Sequence, residues 1–316
     1  AIKKHLNGSC FDLVLYSTPP ITFAKVIQYI KKRDNAYAYL LLKDIFPQNA
    51  VDMKMMRNGG FLHRLFLKKE KKLYELSDTI GCMSRANRNF VIKYNPEVNP
   101  DKVEINPNSI EPLQISCTDQ EKVAIRKKYN LPIDKKILVY GGNLGKPQGL
   151  DFLLETIENC PIDSAYFLIV GNGTEYDRIK KRFEIRKPHN ASLFQGLPKA
   201  DYDKLLMACD IGLIFLHPDF VIPNFPSRLL SYLEMRKPII AATDVNTDIG
   251  DVIEQGKCGY KVISGNQEEM FKAIDLLVNQ SDLEEYGNKA WELLLKEYLV
   301  DRSYELIKEK TALSNR

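Results

Sequence analysis

The sequence predicts an α/β protein built on doubly wound parallel sheets, and three observations carry this prediction. From residue 136 onwards, short strands are apolar at nearly every position, as expected for parallel strands buried on both faces. These strands cover residues 137–140, 166–170, 211–215 and 238–241. Amphipathic helices lie between them, and such alternation predicts right-handed βαβ crossovers. These helices include residues 150–158, 175–183 and 201–208. The length of 316 residues exceeds what one core of about 250–300 residues fills, so we expect two domains.

The first third of the chain repeats the pattern more loosely. Its predicted strands cover residues 11–16, 36–42, 79–83 and 103–105, and its predicted helices residues 23–32 and 61–76. Thr118 and Glu121 form the pattern of a capping box, which opens the first helix of the second block. We therefore expect an N-terminal domain over residues 1–115 and a C-terminal domain over residues 116–300. The last helix, residues 301–316, has no strand after it and can cross back onto the first domain.

Composition narrows the class of protein. Apolar residues make up 44% and charged residues 27%, and a net charge of +4 gives no argument for nucleic-acid binding. The six cysteines form no C-x-x-C pair, which indicates free thiols in a reducing cytoplasm and disfavours structural zinc. No apolar run approaches the ~18–20 residues of a membrane span, and no signal-peptide pattern opens the sequence. We expect a cytoplasmic protein without a bound metal.

Ligands of open α/β sheets bind outside the carboxyl ends of the strands, where three glycine-bearing loops lie. The loop from Tyr140 to Gly149 contains glycines that let the backbone approach a phosphate, and Lys146 adds a positive charge. A tight turn with a solvated lysine is the alternative. The loops around Val170 to Glu175 and Phe194 to Pro198 are weaker signals, since either sequence also fits an ordinary turn.

A fourth loop leads into a helix that starts near Pro226 and Ser227. Arg228 then lies in the first turn, where a cation is unfavourable against the helix dipole, so we expect an anionic partner, either a carboxylate or a phosphate. Ser231 and Glu234 share a face with Arg228, and Glu234 could accept hydrogen bonds from ribose hydroxyls. The alternative is an exposed polar face.

Together these motifs, in this order and spacing, resemble the group 1 (family 4) glycosyltransferases, above all the branch that builds bacterial capsule, O-antigen and exopolysaccharide. The strong matches are Gly142 to Gly149, Val170 to Gly173, Gln195 to Pro198, Phe225 to Glu234, Lys237 to Ile240, Asp248 to Ile253 and Gly256 to Tyr260. Weaker matches are Ser17 to Pro20, Asp44 to Pro47 and Ile105 to Asn108.

The resemblance implies the GT-B fold, two Rossmann-like domains facing a cleft, and a retaining, metal-independent transferase that uses no cofactor. The donor would be a nucleotide-sugar, most often a UDP-sugar, and a hexosyl or N-acetylhexosaminyl group would pass to a lipid-linked or glycan acceptor. The catalytic residues implied are Asp44, Lys146 and Arg228. The donor-binding residues implied are Gly142, Asn143, Gln148, Gly171, Gly173, Gly196, Leu197, Pro198, Pro226, Ser227, Leu229, Ser231 and Glu234.

This chain also departs from the family pattern. Many members carry an arginine and a lysine where Asn143 and Gln148 stand, and two glutamates where Pro223 and Ser231 stand. The family's first domain usually begins with further strands and a glycine-rich loop, so the resemblance implies that the N-terminal domain is incomplete here.

Residues 53–73 combine seven basic side chains and one acid, a formal charge of +6, with interleaved Met, Phe and Leu. A basic amphipathic helix of this kind can lie on an anionic membrane, so we expect peripheral association with the inner face of the cell membrane. The alternative is a core helix with a solvated basic face.

Two other functions compete with the transferase. A sugar-nucleotide epimerase of the same fold would need acid and base groups in the cleft, where His217 is the one histidine at a strand end of the second block. A non-catalytic donor-binding subunit is the other. A nicotinamide dehydrogenase is disfavoured because no complete G-x-G-x-x-G follows a strand.

Overall fold

The computed structural model describes residues 8–113, 117–280 and 282–314, and these form two separate parallel sheets. The first sheet has the strand order β1-β2-β3-β4. Its strands are β1 (Leu13–Ser17), β2 (Tyr37–Leu42), β3 (Thr79–Cys82) and β4 (Val103–Ile105). Its helices are α1 (Ala24–Asp34), α2 (Gln48–Asp52), α3 (Phe61–Leu76) and α4 (Arg85–Tyr94). The central strands β2 and β3 are mostly buried, as expected for their largely apolar sequences.

The second sheet has six parallel strands in the order β10-β9-β8-β5-β6-β7. The strands are β5 (Lys136–Asn143), β6 (Ala165–Asn172), β7 (Ala191–Gln195), β8 (Ile211–Phe215), β9 (Ile239–Thr243) and β10 (Gly259–Ile263). The chain runs outwards from β5 to β7, returns to β8 beside β5, and then runs outwards the other way. The direction of winding therefore reverses between β5 and β8, which is where open α/β sheets leave a crevice for a ligand.

Helices cover both faces of the second sheet, so that two apolar layers flank its strands. They are α5 (Asp119–Lys128), α6 (Leu150–Asn159), α7 (Tyr176–Arg186), α8 (Lys199–Met207), α9 (Arg228–Glu234), α10 (Ile249–Gln255), α11 (Gln267–Val278) and α12 (Leu283–Glu297). The predicted capping box is confirmed: the Thr118 hydroxyl accepts the Glu121 amide, and the Glu121 carboxylate accepts the Thr118 amide. All six cysteines lie among the described residues and are free thiols.

The last helix, α13 (Val300–Ser314), contacts the first sheet. The Ser303 hydroxyl donates to Asn106 Oδ1 at 2.7 Å, and Lys310 Nζ lies 3.3 Å from Glu104 Oε2 at β4. Before α13, the Ile110 amide donates to the Tyr298 carbonyl at 2.9 Å. The expected domain boundary at residues 115 and 116 falls within 114–116, outside the described residues, so the division of the chain stays a prediction.

The predicted α/β class with two parallel sheets is confirmed, and the predicted elements shift by a few residues at their ends. The expected helix 175–183, for example, continues to Arg186 and stops where Lys187 adopts the left-handed conformation with φ 45°. Helix ends depend on such local backbone states, which apolar periodicity does not reveal.

Candidate functional site

The loop after β5 approaches a guanidinium from α9. Gly142 has φ +124°, a conformation that side chains rarely adopt, and a Cβ there would lie 3.6 Å from Arg228 Nη2. Glycine therefore serves two needs at this position, since it permits the backbone turn and keeps the space beside the cation open.

The other glycines of the predicted site pack the loops against one another. A Cβ at Gly171 would overlap the Gly142 carbonyl, and a Cβ at Gly173 would overlap the Leu144 backbone. At the next strand, the Gly196 amide donates to Asn172 Oδ1 at 3.1 Å, and a Cβ at Gly196 would overlap the Asn172 amide group. The loops after β5, β6 and β7 thus pack against one another and form one continuous surface beside the crevice.

Arg228 is the first residue of α9 and is held by neutral groups. Its Nη2 donates to Gln148 Oε1 at 2.6 Å, and its guanidinium carbon lies 4.3 Å from the centre of the Tyr140 ring. Its Nη1 is buried and has no hydrogen-bond partner. Within the described ranges no carboxylate pairs with Arg228, so the carboxylate alternative considered for it is not what the structure contains. An unpartnered, desolvated guanidinium nitrogen is a ready site for an anion.

The position of α9 is set by a tyrosine at the point where the winding reverses. Tyr232 is fully buried, and its hydroxyl lies 3.1 Å from the Val139 carbonyl on β5 and 3.0 Å from the Leu213 carbonyl on β8. The same hydroxyl accepts the Gly141 amide at 3.2 Å. Burial raises the pKa of Tyr232 to about 12, so it stays a neutral donor. These bonds join α9 to β5 and β8 four residues beyond Arg228.

The rim of this crevice is polar and open. Asn143 and Lys146 are exposed, and Lys146 makes no hydrogen bond or ion pair with any other described residue. Gln148, by contrast, is 8% exposed, because it lies under the loop beside Arg228. Pro226 and Ser227 precede α9 as predicted, but the Ser227 side chain makes no capping bond.

The remaining predicted donor residues have other surroundings. Pro198 ends the loop after β7, and its carbonyl accepts the Tyr202 amide at 2.9 Å at the start of α8, while Leu197 packs against the core. Leu229 is fully buried, so its side chain faces the core. Glu234 lies six residues beyond Arg228, about 9 Å along the helix, and its Oε1 accepts the Leu113 amide at 3.0 Å. Ser231 lies between them, half-buried, and the ligand contacts of all these residues stay predictions.

Asp44 lies at the carboxyl end of β2, in the other half of the molecule. Its Oδ2 accepts the Asn49 amide group at 2.7 Å, and burial raises its pKa above the ordinary value. The neighbouring Lys43 has its pKa lowered to about 8 by burial. The carboxyl ends of the two sheets face each other, since Asp248 after β9 accepts the Ala86 amide of α4 at 2.9 Å. Asp44 therefore lies at the end of the first sheet that faces the second half, and its part in a site stays a prediction.

Three residues of the site were not predicted from the sequence. Tyr140 carries the guanidinium on its ring, Tyr232 anchors α9, and Asn172 binds the Gly196 loop. An aromatic residue directly before a glycine pair is a signal that could have identified Tyr140. The other two contacts join elements distant in sequence, and no local pattern marks them.

A separate cavity of about 650 Å³ lies between α4, α10 and α12. It is lined by charged side chains such as Arg85, Asp248 and Lys289 around an apolar floor that includes Val252 and Tyr298. None of the predicted donor residues lines it. In the described part of the chain no group of three or more His, Cys, Asp or Glu residues could hold a metal ion, and no helix there has the length and apolarity to cross a membrane.

Residues 121–291 match the family described as glycosyl transferases group 1. The match spans more than half of the chain, which therefore belongs to this family, and the resemblance drawn from the motifs is confirmed. The chain is 23% identical over 294 residues to the Pseudomonas aeruginosa protein described as "Probable glycosyltransferase WbjE", covering 91% of this chain and 71% of that protein. It is 24% identical over 249 residues to WcaI of Escherichia coli strain K12, a glycosyl transferase assigned to colanic acid biosynthesis. That match covers 77% of this chain and 60% of WcaI, so the chain spans less than two thirds of that relative.

Solved structures share the fold at low sequence identity. HepE of Anabaena, solved in complex with UDP, superposes with a TM-score of 0.76 at 14% identity, over 100% of this chain and 81% of HepE. Sucrose-phosphate synthase of Thermosynechococcus elongatus gives a TM-score of 0.76 at 15% identity, over 98% of this chain and 75% of that enzyme. The two facing α/β sheets are therefore those of the GT-B fold.

Proposed function

We propose that this chain binds a nucleotide-sugar at the crevice between β5 and β8 and transfers its sugar to an acceptor. The observation that carries the proposal is Arg228, whose Nη1 is buried without a partner next to the Gly142 loop. A diphosphate in this position would accept a hydrogen bond from Arg228 Nη1. Lys146 at the rim adds a second cation.

The chemistry of transfer fits this arrangement of charges. Breaking the bond between a sugar and a diphosphate leaves negative charge on the departing phosphate oxygens. Fixed cations that face those oxygens are stronger partners in the transition state than in the ground state, and so accelerate the step. Arg228 and Lys146 would supply that charge without a metal ion, and retention of the anomeric configuration is part of the same proposal.

Several comparisons support UDP as the nucleotide and a bacterial glycan as the product. HepE has been solved with UDP and with UDP-glucose, and the name of WcaI connects that protein with colanic acid. We propose a UDP-linked hexose or N-acetylhexosamine as donor, and a lipid-linked or glycan acceptor bound near Asp44 in the other half of the molecule.

A thermal-shift screen against UDP-, GDP-, ADP- and dTDP-sugars tests the donor site. At 100 times its dissociation constant the preferred donor should stabilise the protein by about 2.7 kcal/mol. Incubation with the preferred donor alone tests the alternative of an epimerase, because an epimerase converts the donor without an acceptor. No response to any nucleotide-sugar would refute the donor site. Donor binding without transfer to any offered acceptor would leave the non-catalytic subunit in its place.

We propose, as a second and separate interaction, that residues 53–73 lie on an anionic membrane surface. Met55, Phe61 and Leu62 are 77%, 81% and 56% exposed, a large apolar area for one short segment. The single acid of the basic segment, Glu70, is buried, and its carboxylate accepts the Tyr74 hydroxyl at 2.8 Å. It therefore does not neutralise the outer surface.

The cations around these apolar side chains are available to lipid headgroups. Lys71 and Lys72 are engaged with Glu97 and Glu75. Five others have no acidic partner within the described residues, namely Lys54, Arg57, Arg64, Lys68 and Lys69. Each could contribute up to about 1 kcal/mol near an anionic surface.

Flotation with anionic and with neutral vesicles tests this surface. The protein should float with the anionic vesicles at low salt and be released at high salt, because the attraction is screened. Replacing Phe61 and Leu62 by serine should abolish flotation. Ile185, which is 78% exposed on α7, provides the matched control for loss of an exposed apolar side chain. Flotation that is equal in the Phe61/Leu62 variant and the Ile185→Ser variant would contradict the assignment.

A further inference from the structure

The β8–α9 loop (residues 216–227) belongs to the second sheet by sequence but packs into the first. Phe220 and Ile222 are 2% and 4% exposed and are part of the hydrophobic core that contains Ile45 and Met53. The loop therefore crosses the cleft before it returns to α9, and its last residues lead directly into Arg228.

One carboxylate from the first half holds the crossing point. Asp52, the last residue of α2, accepts the amides of Val221 and Ile222 on its Oδ2, at 2.9 Å and 3.1 Å. Its other oxygen, Oδ1, accepts the Gln48 side-chain amide at 2.7 Å, a bond within α2. A carboxylate that accepts two backbone amides makes charge-assisted bonds, which are stronger than neutral ones.

Side chains from both halves hold the rest of the loop. From the first half, Asn87 Nδ2 donates to the Pro223 carbonyl at 2.6 Å. From the second, the Thr247 hydroxyl donates to the Asn224 carbonyl at 2.6 Å, and Asn246 donates to the Phe220 carbonyl. The path of the loop thus depends on the two halves being docked together.

The β8–α9 loop leads directly into the first turn of α9. The helix has seven residues, Tyr232 anchors it four residues beyond Arg228, and Ser227 makes no side-chain cap, so the incoming loop adds the contacts that set where the first turn lies. Arg228 lies in that first turn, six residues after Ile222, whose amide is bound by Asp52. Displacement of the loop would therefore move the guanidinium away from Gln148 and Tyr140.

We propose that Asp52 is a positioning residue, which couples the docking of the two halves to the placement of Arg228 for the donor. The inference rests on the proposed function, since it assumes that Arg228 receives the donor diphosphate. Coupling of this kind is reciprocal, so a donor that orders Arg228 also strengthens the docking of the loop onto α2. UDP is the probe, because it contains the diphosphate without the sugar.

Two measurements test the coupling. Hydrogen exchange on the unmodified chain should show that UDP slows exchange both in residues 217–224 and in residues 48–54, although the latter lie in the other half. In calorimetric titrations, Asp52→Ala should weaken UDP binding about tenfold, and Asp52→Asn, which keeps one acceptor oxygen, by a smaller factor of about three.

Two controls separate positioning from general destabilisation. Gln48→Ala removes the other bond of Asp52 and should leave UDP affinity within about twofold. Val103→Ala damages the same core from β4 and should lower the melting temperature while keeping UDP affinity within about twofold.

The outcomes distinguish this inference from the proposed function. If Arg228→Ala loses UDP binding but Asp52→Ala and Asp52→Asn bind UDP as the parent chain does, the role of Asp52 is refuted and the donor site stands. Equal losses of affinity in Asp52→Ala and Val103→Ala would also refute it. If Arg228→Ala itself keeps full affinity, the donor site falls instead. Exchange protection confined to residues 217–224 would show that the halves are not coupled.

Discussion

Replacing Arg228 by alanine should remove most of the affinity for UDP while changing the stability of the unliganded protein little. In the free protein the guanidinium has one neutral hydrogen-bond acceptor and one aromatic face, and its Nη1 has no partner. The alanine variant loses the hydrogen bond and the ring contact, but it also avoids the free-energy cost of desolvating Nη1. The two effects on the free energy of unfolding offset each other.

The size of the effect on binding follows from the single group removed. A charge-assisted hydrogen bond to an anion contributes about 1.5–3 kcal/mol, and a middle value of about 2 kcal/mol corresponds to a roughly thirtyfold weaker dissociation constant. UDP at 100 times the parent dissociation constant would stabilise the parent chain by about 2.7 kcal/mol and the variant by about 0.9 kcal/mol. Arg228→Lys should recover part of the loss, because it keeps the charge but not the planar fork.

The assay is isothermal titration with UDP together with denaturant unfolding in the presence and absence of the nucleotide. Arg236 offers a matched control just beyond the other end of α9. Its Nη1 donates to Asn288 Oδ1 at 2.7 Å and its guanidinium carbon lies 4.7 Å from the Trp291 ring centre, so Arg236→Ala loses the same two kinds of contact. The reasoning is refuted if both variants bind UDP equally well.

Three further predictions concern Gly142 and Gln148 beside Arg228, and the buried Glu70 of α3. Gly142→Ala should lower the free energy of unfolding by about 1–3 kcal/mol in denaturant titrations and weaken UDP binding, because alanine is strained at φ +124°. Gln148→Lys should destabilise the free protein, since it places a second cation beside Arg228, but UDP should stabilise this variant more than it stabilises the parent chain. Stabilisation by UDP that is no larger than in the parent chain would contradict the prediction. Burial raises the pKa of Glu70 from 4.5 to about 7, so the folded state binds the extra proton between these values and the free energy of unfolding falls as pH rises through them. Glu70→Gln should remove this decline, up to about 3 kcal/mol, in unfolding curves recorded from pH 4 to 8.

Four strands of the second sheet, β5, β6, β8 and β9, could be predicted from the sequence because they are apolar at nearly every position. The edge strands β7 and β10 were not predicted, since polar residues such as Ser192 and Lys261 interrupt them. Residues 211–215 and 239–243 contain no charged side chain, and such runs, separated by amphipathic helices, fit few architectures. The carboxyl ends of the strands then indicate where a ligand lies, which is how the Gly142 loop and Arg228 were found.

The functions of the individual glycines could not be separated in advance. A G-x-G at a strand end has the same sequence whether it approaches a ligand or a neighbouring loop. The structure distinguishes them: Gly171 and Gly196 lie against backbone or side chains of adjacent loops, whereas Gly142 faces the guanidinium. The contact of Asp52 with Val221 and that of Tyr232 with Gly141 were equally hidden, because these pairs lie 169 and 91 residues apart in the chain.

The helix dipole of α9 predicted an anionic partner for Arg228, whereas the neighbours that hold the residue are neutral. A binding site for an external anion explains this difference. A carboxylate in the place of Gln148 would pair with the guanidinium and compete with a diphosphate for it. The Gln148 oxygen orients Nη2 without cancelling the charge, and the Tyr140 ring supports the guanidinium plane from one face. The cation is therefore positioned but not neutralised. A desolvated cation without a counter-ion raises the free energy of the unliganded protein, and binding of an anion removes this penalty. The guanidinium is thus already desolvated and oriented before the donor binds.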